Sequence, residues 1–169
     1  MTDVEREPHV DPITRRAWLA RAGQGLLAGV AGLLLRPHPV LALGPTPITV
    51  YKDPSCGCCK SWVTHLAREG FAPTAHDRHD MDALKDSLGV PPALRSCHTA
   101  VAGRYLIEGH VPASDIRRLL ATRPANVHGL AVPGMPAGSP GMEMGGHVDR
   151  FEVIAFGSAG RTHVFARHG

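Results

Sequence analysis

Three of the four cysteines in this chain fall within four residues, Cys56-Gly57-Cys58-Cys59, and the fourth, Cys97, stands beside His98 further along. Thiolates packed this densely can share soft metal ions or exchange disulfides. Cys56 and Cys59 have the spacing of a disulfide exchanger, in which one thiolate attacks and the second resolves the mixed disulfide. Cys58 complicates that chemistry, because a third thiol between the two competes as a nucleophile. A bond between the neighbours Cys58 and Cys59 is strained. A Cys56–Cys59 bond, or one from either end of the cluster to Cys97, stays open. The alternative is metal: three thiolates at one place can bridge several soft ions, with thioethers and imidazoles completing the shells.

The elements around the cluster decide how it is presented. Ile48-Thr49-Val50-Tyr51 is rich in β-formers and runs into the turn residues Asp53-Pro54, which predicts a strand. Gly57 to Glu69 reads as a helix, with Trp62, Val63 and Leu66 at helical spacing and Gly70 to end it. The cysteines therefore sit at a strand-to-helix junction, where the helix N-terminus favours negative charge and lowers a thiol below its free value of about 8.5. Phe71 to His76 predicts a second strand, and Asp80 caps a short helix carrying Leu84 and Leu88. Thr99 to Val101 and Tyr105 to Ile107 flank Ala102-Gly103-Arg104 as a hairpin, and Ser114 to Thr122 forms a helix with Ile116, Leu119 and Leu120 inward. Gly129 to Gly146 holds three prolines, six glycines and the methionines Met135, Met142 and Met144, with no periodic pattern. A loop of that length in a compact domain is functional or disordered. Phe151 to Phe156 and Thr162 to Phe165 make a terminal hairpin, so the loop is pinned at both ends. The expected fold is a single thioredoxin-like α/β domain over residues 47–169, with an added Gly/Pro/Met-rich loop and a C-terminal β-hairpin.

With 43% hydrophobic residues and a formal charge of +3 in 169 residues, the chain can sustain one compact core plus terminal extensions. It carries no lysine or arginine stripe and only 5% aromatic residues, which argues against a nucleic-acid partner. Thr14-Arg15-Arg16-Ala17-Trp18-Leu19 is a twin-arginine pattern, followed by the uncharged stretch Ala22 to Leu35 and small residues at Val40-Leu41-Ala42. That stretch is shorter than the roughly 20 apolar residues that span a bilayer. Residues 1–42 are therefore expected to be a twin-arginine signal peptide that sends the domain to the periplasm, with membrane contact only through that signal. An N-terminal anchor or a buried helix is the competing reading of the same segment.

An oxidising compartment makes four cysteines read first as two disulfides. A bound metal is the other way for thiolates to persist there. Zinc would take Cys56, Cys58, Cys59 and Cys97 as a tetrahedron, but adjacent cysteines chelate one tetrahedral ion awkwardly and methionine is no preferred zinc ligand. The methionine-bearing loop tilts the balance to monovalent copper.

Four segments then resemble the CopG-type periplasmic copper-resistance proteins. They are Asp53-Pro54-Ser55-Cys56-Gly57-Cys58-Cys59-Lys60-Ser61-Trp62, Ser96-Cys97-His98-Thr99-Ala100, Ile107-Glu108-Gly109-His110-Val111-Pro112 and Gly129 to Glu143. The resemblance runs in unbroken order from Ile48 to Glu143. It implies a thioredoxin-like fold, a copper cluster bridged by cysteines, and a role in bacterial copper tolerance through binding Cu(I)/Cu(II) and changing its oxidation state. Carried over by position, it implies Cys56, Cys58, Cys59 and Cys97 as sulfur ligands, with His110, Met135 and Met142 in the remaining motifs. Periplasmic copper-transport or redox proteins are the expected partners. A thiol-disulfide oxidoreductase of exported proteins and a passive copper chaperone are the alternatives. His98 reads equally as a ligand or as a residue bonded to backbone, Trp62 as core packing, His65 as a surface residue, and His76 and His79 as a solvated turn.

Overall fold

The computed structural model describes residues 44–143, 145–157 and 160–169, and the expected leader over residues 1–42 lies outside them. Seven strands form one mixed sheet in the order β2-β1-β3-β4-β5-β6-β7. In chain order these are β1 (Thr46–Lys52), helix α1 (Gly57–Arg68), β2 (Phe71–Asp77), α2 (Met81–Leu88), a short 3-10 turn (Pro92–Leu94), β3 (His98–Ala102), β4 (Tyr105–Glu108), α3 (Ala113–Thr122), β5 (Gly129–Ala131), β6 (Phe151–Phe156) and β7 (Thr162–His168). β1 runs parallel to β2 and antiparallel to β3, and β3 and β4 form the expected hairpin.

One face of the sheet carries most of the core. Ile48 and Val50 of β1, Ala100 and Ala102 of β3, Ile107 of β4 and Val153 and Ala155 of β6 pack with Trp62 and Leu66 of α1 and Ile116 and Leu119 of α3. The alternation along each strand follows from the two-residue side-chain period. A second cluster of Val90, Leu106, Ala131 and Phe156, with Leu88 and Leu94 beside it, forms where α2 and the short turn meet the sheet. The hairpin β6–β7 is fastened to α3, where buried Asp115 accepts from His168 Nε2 at 2.7 Å and Arg118 donates to the Phe165 carbonyl at 2.8 Å.

Two expectations change. The stretch from Gly129 onward begins as a strand, not a loop, because Gly129-Leu130-Ala131 pairs with both β4 and β6. Glycine is required there, since a Cβ at Gly129 would run into the Leu106 carbonyl and the Phe156 ring. Asp80 occupies the N-cap of α2 but makes no side-chain cap bond; its carboxylate accepts from Arg78 Nε and Nη2 instead, at 2.7 and 2.6 Å. Among the described residues no helix is long and apolar enough to cross a membrane.

Candidate metal centre

The register of the sheet brings the cysteine motifs together. Lys52, the last residue of β1, pairs with His98, the first of β3, so the turn after β1 and Cys97 before β3 emerge at one end of the sheet. Glu108 closes β4 opposite Thr99, which sends Gly109-His110 out at that same end. Ala131 pairs with Glu108, so the long loop after β5 also starts there.

The cysteine turn is shaped locally. Asp53 accepts from the Ser55 backbone N–H at 2.8 Å and its carbonyl takes the Cys56 N–H at 3.1 Å, a side-chain turn that launches α1. Cys56 is the N-cap: its Sγ accepts from the Cys59 backbone N–H at 3.3 Å. Cys59, Trp62 and Leu66 make the buried stripe of the helix. The Trp62 indole N–H donates to the Val111 carbonyl at 3.0 Å, tying α1 to the segment after β4. Trp62 is core packing beside the cluster, as expected, with its ring 4.3 Å from that of His98.

Cys56, Cys58, Cys59 and Cys97 bring their sulfurs within 4.8 Å of one another. Cys56 and Cys59 are joined as a disulfide, and Cys58 and Cys97 are free. The sulfurs of Cys56 and Cys58 are 3.5 Å apart. Cys97, His98 and His110 form a second convergent set that shares Cys97. His110 Nε2 stands 3.1 Å from the Cys97 sulfur, and its Nδ1 donates to the Pro140 carbonyl at 2.8 Å. That carbonyl can only accept, so Nε2 presents its lone pair to the cluster, the second-sphere arrangement that orients metal-binding histidines.

His98 stands among the convergent groups beside Cys97. Its Nδ1 lies 3.2 Å from the Cys97 sulfur, and its Nε2 is buried with no partner. Burial holds the His98 imidazole well below its ordinary value, helped by nearby His110 and Lys85, and burial lowers His110 as well. Burial and the neighbouring Cys58 push the Cys97 thiol up to about 12. Burial therefore favours the uncharged forms of Cys97, His98 and His110, and a cation that binds Cys97 must displace its thiol proton.

Buried charges brace the Cys97 segment from behind. Glu108 is fully buried and accepts from Lys85 Nζ at 2.5 Å, from Thr99 Oγ1 at 2.6 Å and from the Ser96 backbone N–H at 2.7 Å. Lys85 also donates to Thr99 Oγ1 at 2.9 Å. Nothing in the spacing of Lys85, Ser96 and Glu108 marks them as neighbours; a lysine and a glutamate that neither repeat nor alternate give no sign of burial.

The loop closes over the cluster through its backbone. Pro140 caps His110, and Gly141 lies so near α1 that a Cβ would stand 2.7 Å from the Trp62 nitrogen and 3.0 Å from the Cys58 carbonyl. Met135 is 53% exposed, and Met142 is half-buried one residue past Gly141. His65 is not a plain surface residue: it is half-buried with an unpartnered Nε2, and burial lowers its titration.

A mixed α/β sheet that gathers four cysteines and two buried histidines at one end defines a cysteine-cluster protein. Two solved structures, forms 2 and 1 of copper resistance protein CopG, match it with TM-scores of 0.70 each. Form 2 is 46% identical, covering 74% of this chain and 99% of its own, and form 1 is 48% identical, covering 73% and 98%. The chain belongs to the CopG copper-resistance protein family. Residues 94–142 also match a protein family of unknown function, DUF411. No curated protein matches the chain.

Proposed function

We propose that this protein binds copper as cargo for copper resistance, holding cuprous ions on Cys56, Cys58, Cys59 and Cys97, with His110 Nε2 completing the donor set. The observation that carries the reading is the convergence of four sulfurs within 4.8 Å of one another. Soft donors in that number suit monovalent copper, and His98 Nδ1, 3.2 Å from the Cys97 sulfur, adds a further base at the same place. Reduction of the Cys56–Cys59 bond frees all four thiols for binding. Met135 and Met142 are the remaining candidate ligands, carried by the loop whose Gly141 lies against α1. The strand and helix order from β1 to α3 is read as a thioredoxin-like scaffold, with the metal cluster in the position of its cysteine turn. Residues 1–42 are read as a twin-arginine leader and the domain 47–169 as periplasmic. Cycling between cupric and cuprous states and delivery to other periplasmic copper proteins belong to the same reading.

Anaerobic titration of the reduced domain with cuprous ion against a chromophoric competitor tests it. Cuprous uptake that disappears when all four cysteines become serine is expected; no uptake, or uptake that survives the four substitutions, refutes it. Cell fractionation of the full chain and of an Arg15→Lys/Arg16→Lys variant tests export. A second reading, a thiol-disulfide oxidoreductase, is favoured by the disulfide at the N-cap of α1. It requires protein disulfides to be reduced by Cys56 and Cys59 with Cys58, Cys97 and the loop methionines dispensable.

A further inference from the structure

We infer that the Cys56–Cys59 pair is the electron source for reducing cupric ion at this cluster, one dithiol becoming the disulfide as two cupric ions become cuprous. The inference deepens the copper-binding reading and rests on it for bringing copper to the sulfurs. Cys56, Cys58, Cys59 and Cys97 lie within 4.8 Å of one another, so an ion held by any of them is in reach of all. In the structure Cys56 and Cys59 are bonded to each other while Cys58 and Cys97 remain thiols. The same four residues thus have two states that differ by two electrons: four thiols, or one disulfide and two thiols.

The balance closes without another reactant. The S–H bonds of Cys56 and Cys59 break, one S–S bond forms, and two protons leave to solvent. The two electrons released go one to each of two cupric ions. Geometry selects the pair. The Cα atoms of Cys56 and Cys59 are 5.4 Å apart, inside the range a disulfide spans without backbone movement. Cys58 is the neighbour of Cys59, a strained pairing, and Cys97 comes from the separate segment just before β3. After the step Cys58 and Cys97 still carry sulfur, and His98 and His110 still converge on Cys97, so donors remain for a cuprous product. Return to the reduced state takes two electrons from an external dithiol. Its approach is to Cys56, which is half-buried, since Cys59 is fully buried beneath the helix.

The test uses the chain fully reduced, stripped of metal and reductant under argon, and mixed with cupric sulfate alone. Electron paramagnetic resonance is expected to lose the cupric signal of two equivalents per disulfide formed. Alkylation and peptide mapping are expected to find Cys56 joined to Cys59, with Cys58 and Cys97 alkylated. A Cys56→Ser/Cys59→Ser variant is expected to leave the cupric signal standing over the same interval. Loss of signal in that variant at the rate of the parent, a disulfide mapped to any other pair, or an undiminished cupric signal in the parent overturns the inference. Direct cuprous titration separates the two ideas. Parent protein that takes up cuprous ion but leaves cupric ion unreduced removes the electron-source inference alone. Formation of the mapped disulfide in step with cupric loss, with no cuprous uptake, upholds it and removes the cuprous-holding reading.

Discussion

At the scale of single residues, burial favours the neutral forms of Cys97, His98 and His110. His98 is fully buried with its imidazole held well below the ordinary 6.5, and His110 is lowered in the same direction. The sign of the pH effect follows. Above 6.5 both rings are uncharged in the folded and the unfolded chain, so the stability they contribute is fully present. As the pH falls below 6.5 the unfolded chain takes up protons that the native site refuses, and stability drains away until the native value is reached. Metal-free protein should therefore show an unfolding free energy in urea titrations that declines from pH 7 to pH 5, by about 1.4 kcal/mol per pH unit for each ring fully excluded from protonation. His98→Phe keeps an aromatic ring against Trp62 and removes one proton site, so its decline should be shallower. Equal slopes for the two proteins would show that His98 takes no part. Glu108 gives the second prediction at this scale. Glu108→Gln leaves Lys85 buried without its counter-charge and should cost about 3 to 5 kcal/mol in denaturant unfolding. Lys85→Met/Glu108→Leu should recover most of that stability yet bind cuprous ion more weakly, because the Ser96 N–H that holds the Cys97 segment has lost its acceptor. A double variant with full stability and full affinity would remove the brace from the account of the site.

At the scale of elements, the junction between β1 and α1 and the β3–β4 hairpin were legible because turn residues and periodicity agree there: Asp53-Pro54 after a β-rich run, then Trp62 and Leu66 at helical spacing. The strand β5 was not, since three residues bounded by His128 and Val132 are too few to show an alternation. Asp80 misled for a related reason, because a cap-like residue is also a good partner for a nearby guanidinium and Arg78 won. What the sequence could not convey at all was register. Lys52 opposite His98, and Thr99 opposite Glu108, are what set His110 beside Cys97, and no local pattern encodes a pairing between residues so far apart. The loop after β5 makes its own contribution as a lid whose fit depends on one glycine. Gly141 has φ +87° and faces backbone atoms of α1 that cannot yield, whereas Gly146 has φ +85° and nothing within 4 Å. Alanine at either position meets conformational strain of about 1 to 3 kcal/mol. Only Gly141→Ala should also lift the loop, release Pro140 from His110 and weaken cuprous binding. Calorimetric Tm values alongside cuprous competition measure this, and equal losses of affinity in the two variants would mean that the close approach to α1 is irrelevant.

At the scale of the whole molecule, the disulfide and the proposed metal are cross-links of very different reach. The Cys56–Cys59 bond joins residues three apart within a single turn of chain. Closing so short a loop restrains the unfolded chain little, on the order of 2 kcal/mol in the loop-entropy model. A cuprous ion shared between the cysteine turn and Cys97 would instead join the end of β1 and the start of α1 to β3, around a loop of about forty residues. The same model puts that restraint at about 4 kcal/mol. With His110 as a further donor, β4 enters the link as well, and Pro140 on the far side of that ring would couple the loop to it. Binding to the folded chain adds its own mass-action stabilisation on top of the topological one. Two states of the same sulfurs should thus be told apart by heat. Reducing the disulfide in metal-free protein should lower Tm by about 8 °C, while loading the reduced protein with cuprous ion should raise it well above the oxidised form. Hydrogen exchange should show where: protection gained at Ser96 to Ala100 and His110 to Val111 on loading, and no comparable gain on oxidation. An oxidised, metal-free protein as stable and as protected in those segments as the copper-loaded one would mean that the four sulfurs do not act across the sheet, and that Cys97 stands beside the cysteine turn without being tied to it.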